Sequence, residues 1–428
     1  MKIKDVIELF IAGDWGEETC SSEMPCAVTC VRGADIIPIS ECNFSAIPVR
    51  FISQQSYAKK CLQVGDIIIE KSGGSPTQST GRVSFVSQEF LDSVGGVVCS
   101  NFCTAFRVKK GWNPLYVYYY FQFIYNLGVF FNFEGKTSGL KNLQLDAAFA
   151  AIPIEDISES IQNNIVAILQ GLEKKIAINR QINQNLEAMA KQLYDYWFVQ
   201  FDFPNEEGKP YKSSGGEMVW NEKLKREIPK GWHASNVCSI ADILSGGTPS
   251  KQEPTFWNNG TIPFFGPTDY GGSIFQIETA ENITAKGLSR CASSLFDVGT
   301  IIITARGSIG KMVIVGTPMA MNQSCYALKS KNNEFEYLFF LTAQLIECLK
   351  AKGSGSTFKS IISSDIEQST LCIAPQSFIT QFGHVVKPIF EKIKDNSFEI
   401  ATLTKQRDEL LPLLMTGQVA VNSDLSLG

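Results

Sequence analysis

The sequence predicts an α+β protein made from a repeat: two mixed α/β units with β-sheet, each followed by one long amphipathic helix. The two helices are expected to pair antiparallel as a coiled coil, giving a pseudo-two-fold chain. Three observations predict this. The segment Gly65-Asp66-Ile67-Ile68-Ile69-Glu70 returns as Gly299-Thr300-Ile301-Ile302-Ile303-Thr304. Each copy leads through a glycine-containing loop to a Gly-basic-apolar triplet, Gly81-Arg82-Val83 in the first and Gly310-Lys311-Met312 in the second. Each is then followed by a stretch, Ile157 to Trp197 and Phe378 to Leu414, in which apolar residues fall three and four apart, the spacing of a helix face.

The totals agree. A chain of 428 residues is too long for one ordinary core, and 44% hydrophobic with 19% charged residues is the balance of a folded domain rather than a disordered one. The longest apolar run, Tyr116 to Phe133, is interrupted by Gln122, Asn126 and Gly128 and has no flanking basic cluster, so it reads as a buried element rather than a membrane span. Lys2, Lys4, Asp5 and Glu8 break up the first ten residues, which therefore do not form a signal peptide, and a cytoplasmic location is expected. Twelve cysteines without a framework read as reduced thiols. Cys99 and Cys103, the loose group Cys20, Cys26 and Cys30, and the two histidines His233 and His384 offer no second pair at metal spacing, so no metal site is expected. The net charge of −5 weighs against phosphate binding unless Lys and Arg gather on one surface.

In order along the chain, the first unit is expected over 1–155, a helix over 156–200, a polar linker over 201–225, the second unit over 226–375, the second helix over 376–417 and a tail over 418–428. The first stripe runs Ile161, Ile165, Ile168, Leu169, Leu172, Ile176, Ile182, Leu186, Met189, Leu193. The second runs Phe382, Val386, Ile389, Ile393, Ile400, Leu403, Leu410, Leu414. One constant offset lays Ile165 on Phe382, Leu172 on Ile389, Asn179 on Asn396, Leu186 on Leu403 and Leu193 on Leu410, and these ten positions form the expected seam. A seam asparagine fixes register at some cost in stability, and its recurrence points to helices that pair with each other.

The second unit carries Ile228-Pro229-Lys230-Gly231-Trp232, Ser245-Gly246-Gly247-Thr248-Pro249-Ser250, Trp257 to Pro263 and Met321-Asn322-Gln323, and the two helices end in Leu193 to Pro204 and Arg407 to Gly417. In their order and spacing these segments together resemble the specificity subunit of type I restriction-modification systems, Leu193 to Pro204 being similar to the family's central conserved segment and Arg407 to Gly417 to its distal counterpart. The first unit lacks the Ile-Pro-x-Gly-Trp opening, although Gly13-Asp14-Trp15-Gly16 resembles an alternative one. The resemblance implies two target-recognition domains, each reading one half of a bipartite double-stranded DNA target, with the helices setting the spacer. It also implies two docked methylation subunits carrying S-adenosylmethionine, no cofactor in this chain, and nuclease or translocase subunits to complete a restriction enzyme.

On that reading the DNA-contacting candidates are Lys71, Ser72, Gly73, Gly74 and Arg82 in the first unit. In the second they are Gly246, Gly247, Thr248, Arg306, Ser308, Lys311, Asn322 and Gln323, where glycines permit close backbone approach and the side chains suit phosphates or base edges. Asn322 and Gln323 equally suit neighbouring backbone groups. Tyr194, Tyr196, Phe198, Phe201 and Phe203 are candidates for partner docking, with part of the cluster, Trp197 above all, expected in the core. Asn113-Pro114-Leu115-Tyr116 lacks the second proline of an adenine-holding methyltransferase motif and reads as a helix start. Ala305 and Met312 spoil a phosphate-loop reading of the segment between them, and no catalytic residues can be named. A self-contained restriction or modification enzyme and a coiled-coil scaffold without DNA function remain the alternatives.

Overall fold

The computed structural model describes residues 1–75, 78–137, 140–352 and 360–419, so the tail expected over 418–428 lies outside the described residues from 420 onward. The chain forms two compact units, Met1–Ala177 with Leu403–Gly428, and Ile178–Thr402.

In the first unit the strands that matter are β1 (Ile7–Ala12), β2 (Cys26–Val31), β3 (Val49–Ile52), β4 (Ile67–Glu70), β5 (Val83–Phe85), β6 (Val97–Cys99) and β7 (Cys103–Val108). They make an antiparallel four-stranded sheet in the order β1-β7-β4-β5 and a three-stranded sheet in the order β3-β2-β6, in which β2 and β6 run parallel. The isoleucine run is central for a physical reason. β-Branched side chains suit a pleated surface covered on both faces, and successive residues point to opposite sides. Ile67 and Ile69 enter the core with Phe106 and the aromatic helix α1 (Pro114–Asn126), while Ile68 enters a second core with Val86, Phe90 and Val97. Asn113 starts α1: its side-chain oxygen accepts from the backbone N–H groups of Leu115 and Tyr116 at 2.9 and 3.3 Å, and Pro114 occupies the first turn.

The second unit repeats the plan with β8 (Ala241–Ser245), β9 (Ile262–Phe265), β10 (Asn282–Ile283), β11 (Ile301–Thr304), β12 (Met312–Val315), β13 (Ala320–Met321) and β14 (Cys325–Ser330). Its larger sheet has the order β8-β14-β11-β12 with a fifth strand at Phe275–Gln276, and its smaller sheet the order β10-β9-β13 with β9 and β13 parallel. Each of the seven labelled strands of the first unit thus has a counterpart seven labels later, while a small sheet of Ser72–Gly73, Leu140–Leu143 and Glu134–Thr137 belongs to the first unit. The likeness reaches single bonds: Arg32 N–H donates to Asp35 Oδ2 at 2.8 Å after β2, and Gly266 N–H donates to Asp269 Oδ2 at 2.7 Å after β9.

Two long helices, α2 (Glu159–Tyr194) and α4 (Gln376–Met415), follow the two units, and α3 (Phe335–Lys352) is the counterpart of α1. In the first unit Ile165, Val166 and Leu169 of α2 share a core with Leu411, Leu414 and Met415 of α4. In the second unit Tyr194 of α2 meets Phe382 of α4 with ring centroids 5.9 Å apart. Within the second unit Asn179 of α2 meets Glu399 of α4 while Tyr194 meets Phe382, so the two helices run in opposite directions there. Ile165, Asn179, Phe382, Asn396 and Leu403 are buried, and Leu172, Leu186, Leu193, Ile389 and Leu410 are half-buried. Ile161, Ile182 and Met189 of the first stripe are exposed, because a helix of 3.6 residues per turn rotates them out of a narrow seam.

The seam asparagines do not meet each other. Asn179 donates to Glu399 Oε2 at 2.8 Å, and Asn396 donates to Asn183 Oδ1 at 2.8 Å, while Asn183 donates on to the Ile393 carbonyl at 3.3 Å. Parallel superposition of the two stripes cannot reveal this, since an antiparallel pair brings each residue opposite a different part of the repeat.

Candidate nucleic-acid interface

The larger sheet fixes which loops share an edge. In the second unit Ser245 pairs with Tyr326 and Thr304 with Cys325, so the loops leaving β8 and β11 and the loop entering β14 lie at the same rim. Hydrogen bonds join them: Gly247 N–H donates to the Met321 carbonyl at 3.1 Å, Ala305 N–H to the Ser324 carbonyl at 2.7 Å, and the Thr248 hydroxyl to Gln323 Oε1. The rim therefore gathers Gly246, Gly247, Thr248, Arg306, Ser308, Asn322 and Gln323 from distant parts of the sequence.

Their roles divide. Arg306 is exposed and has no ion pair among the described residues. Lys311 is exposed with its ammonium 5.1 Å from the Tyr270 ring centroid, and Thr248 and Gln323 are exposed and bonded to each other. Ser308 is exposed, and its carbonyl accepts from the Thr304 hydroxyl. Asn322 is half-buried, and its side-chain oxygen accepts from Ser324 N–H at 2.9 Å, which shapes the turn. The two glycines correct a sequence-based expectation. A Cβ on Gly246 would stand 2.1 Å from the Asn322 carbonyl oxygen and one on Gly247 2.7 Å from Ala292 N, so the close approach they permit is to this chain's own backbone.

The first unit forms the equivalent rim from β1, β4 and β7, with Ala12 opposite Thr104 and Glu70 opposite Cys103. Gly13 is the twin of Gly246: its Cβ would stand 2.1 Å from the Ser100 carbonyl oxygen. Arg82 departs from the expected DNA role. Its guanidinium forks onto Glu70 at 2.7 and 2.9 Å, the Glu70 side chain is 3% exposed, and that hydrogen bonding holds Arg82 more firmly protonated. Gly73 and Gly74 are also structural. Each has positive φ, and a Cβ on Gly73 would collide with the Glu70 carboxylate at 2.6 Å. The Ser72 hydroxyl donates to Asn142 Oδ1. Lys71 is half-buried without an ion pair among the described residues. Lys60 and Arg32 are paired with Asp14 and Asp35 at 3.1 and 2.8 Å. Sequence reasoning missed the Gly13 twin and the loop Ser100-Asn101-Phe102. The signals were present in Ile11-Ala12-Gly13 against Leu244-Ser245-Gly246, and in a buried cysteine, Cys103 or Cys325, ending each rim loop.

The docking candidates are corrected too. Tyr194, Phe198, Phe201 and Phe203 are 2–4% exposed, packed with Trp197, Trp232, Tyr337 and Phe382, because residues 201–225 fold back as packed turns and a hairpin strand rather than an open linker. Tyr196 alone of the five stays 36% exposed.

A cavity of about 340 Å3 lies elsewhere in the second unit, lined by Glu187, Lys191, Ile274, Phe339, Phe340 and Phe390. Burial pushes the Glu187 carboxyl up to about 7. With a folded value above the unfolded one near 4.5, the folded state binds more protons, so stability present at low pH is lost as pH rises from about 4.5 to 7. Glu187→Gln should remove that slope, worth about 2 kcal/mol after allowance for solvent screening, as read by urea denaturation at pH 5 and pH 8.

No helix among the described residues is long and apolar enough to cross a membrane. The sequence profile of the type I restriction modification DNA specificity domain matches the chain twice, over residues 50–188 and 229–377. The chain is 30% identical over 269 residues to the type I restriction enzyme MjaIX specificity subunit of Methanocaldococcus jannaschii, an alignment covering 61% of this chain and 59% of that protein, less than two thirds of its length. It is 24% identical over 336 residues to the type I restriction enzyme HindI specificity subunit of Haemophilus influenzae, covering 67% and 73%. The crystal structure of a type I restriction-modification system S subunit from M. genitalium, 14% identical, overlays with a TM-score of 0.53 across 97% of this chain and 95% of that one, a likeness of fold.

Proposed function

The chain belongs to the type I restriction-modification DNA specificity family, and from that premise we propose that it is the non-catalytic subunit that gives such a complex its DNA sequence. Each unit reads one half of a bipartite duplex target through the rim of its larger sheet, and the paired helices set the unread spacer. One observation carries this reading. The two rims are built on the same strand pairings and the same closely packed glycine, yet they carry different residues at matching places: Asp14 against Gly247, Lys71 against Ala305, Phe102 against Ser324. A common scaffold with unlike tips is what reading two unlike half-sites requires. Arg306 and Lys311 supply the local positive potential that the overall charge of −5 does not.

Two methylation subunits carrying S-adenosylmethionine are proposed to dock on the chain, with nuclease or translocase subunits completing the restriction form. Tyr196 is the docking candidate that remains accessible.

The test is selection of bound sites from a randomised duplex library. Arg306→Ala should relax preference at one position of one half-site by about tenfold, the worth of one bidentate arginine–guanine contact. Uniform weakening on all sequences would place Arg306 on a phosphate. Unchanged selection and affinity would remove the rim from the interface.

A further inference from the structure

We propose that Phe102 reads the first half-site by packing its ring against the C5 methyl group of a thymine in the major groove. The inference rests on the reading that the rims meet DNA. Phe102 is 55% exposed at the tip of the loop entering β7, beside the exposed Asn101. Its ring makes no aromatic or cation contact among the described residues, whereas its backbone is held. The Phe102 carbonyl accepts from Lys71 and Ser72 N–H at 2.8 and 3.0 Å, and Cys103 N–H donates to the Ser100 carbonyl at 2.9 Å, closing the turn.

A single exposed apolar side chain ordinarily needs no explanation. Here the surroundings single it out. The cations around this rim are largely committed: Arg82 to Glu70, Lys60 to Asp14, Arg32 to Asp35 and Arg50 to Glu18. The arginine forks that read guanine are thus occupied within the unit. What the loop offers to a base edge is an amide at Asn101 and an apolar face at Phe102, and a thymine methyl is the apolar feature of the major groove. The matching position in the second unit is Ser324, defined by the parallel bonds Lys71 N–H to the Phe102 carbonyl and Ala305 N–H to the Ser324 carbonyl. An apolar reader is therefore specific to one half-site.

The full chain, as wild type, Phe102→Ala, Phe102→Leu and Arg306→Ala, is used to select sites from the randomised duplex library, and the preferred wild-type site is then remade with uracil replacing each thymine singly. Wild type should bind about fourfold more weakly when one thymine of one half-site becomes uracil, the factor that burying one methyl group is worth. Phe102→Ala, whose ring is on the surface so that its melting temperature should not move, should be indifferent to that uracil and should relax selection in that half-site alone. Phe102→Leu should keep part of the dependence. If uracil is tolerated at every thymine, or if Phe102→Ala remains as sensitive as wild type, the proposal is overturned. If Arg306→Ala shifts one half-site while Phe102→Ala shifts none, the Phe102 assignment fails and the rim reading stands. If neither variant shifts selection, or no sequence is selected, the rim reading itself fails and this proposal with it.

Discussion

Glu70→Ala should lower the thermal midpoint of the first unit by roughly 10 °C, a larger loss than any surface change on the rim would give. Removing the carboxylate leaves the Arg82 guanidinium, whose side chain is 16% exposed, held in place without its counter-charge. Stranding one partner of a buried pair costs about 3–5 kcal/mol, because desolvation of the remaining charge is no longer offset. A unit of this size melts about 2–4 °C lower per kcal/mol. Arg82→Ala should cost a similar amount, whereas replacing both with apolar residues of similar volume should be near neutral. The comparison, made by scanning calorimetry on the full chain, separates two readings of Arg82. If Arg82→Ala melted like wild type but bound DNA more weakly, the pair would be incidental and Arg82 a DNA contact after all.

Seven residues inserted into α2 after Asn179, with seven inserted into α4 after Phe398, should lengthen the unread spacer of the DNA target by roughly three base pairs. The hydrogen bond from Asn179 to Glu399 identifies these as facing points of an antiparallel pair. Seven residues preserve the near-heptad seam, keep Asn183 with Asn396 on one side of the insertion and Asn179 with Glu399 on the other, and add about 10 Å at 1.5 Å per residue. B-DNA rises about 3.4 Å per base pair, so about 10 Å corresponds to about three. DNA bending absorbs part of such a change at a cost of a few kcal/mol, so a shift of about two to four base pairs is the expected range. The readout is site selection by the purified variant, with half-site sequences unchanged. An insertion variant with native helicity and the original spacer would show that the helices do not set the distance.

The repeat was legible because it is written in local periodicity. Ile67 to Ile69 and Ile301 to Ile303 announce buried strands by β-branching, and the stripes on α2 and α4 announce helices by apolar spacing. Asn113-Pro114 announced its helix start, since cap chemistry is local as well. The site was less legible. Gly246 has the same small side chain whether it approaches DNA or the Asn322 carbonyl, and only strand pairing shows which neighbour it meets. Arg82 looks like a free cation until β4 and β5 lie side by side and bring Glu70 to it. Phe203 and Tyr194 look like anchors for a partner until the chain folds back over them.

The sequence by itself determined that there are two units of one plan and where the isoleucine strands and the long helices lie along the chain. Those features follow from residues within a few positions of one another, through side-chain period, β-branching and capping. The tertiary structure decided which side chains remain available, committing Arg82, Asn322 and Asn396 to partners within the chain and leaving Arg306 and Phe102 at the surface. The reason is that a side chain's availability depends on what the rest of the fold places beside it. Glu70 stands 12 residues from Arg82 and Asn183 stands 213 from Asn396, separations at which no local pattern specifies a partner.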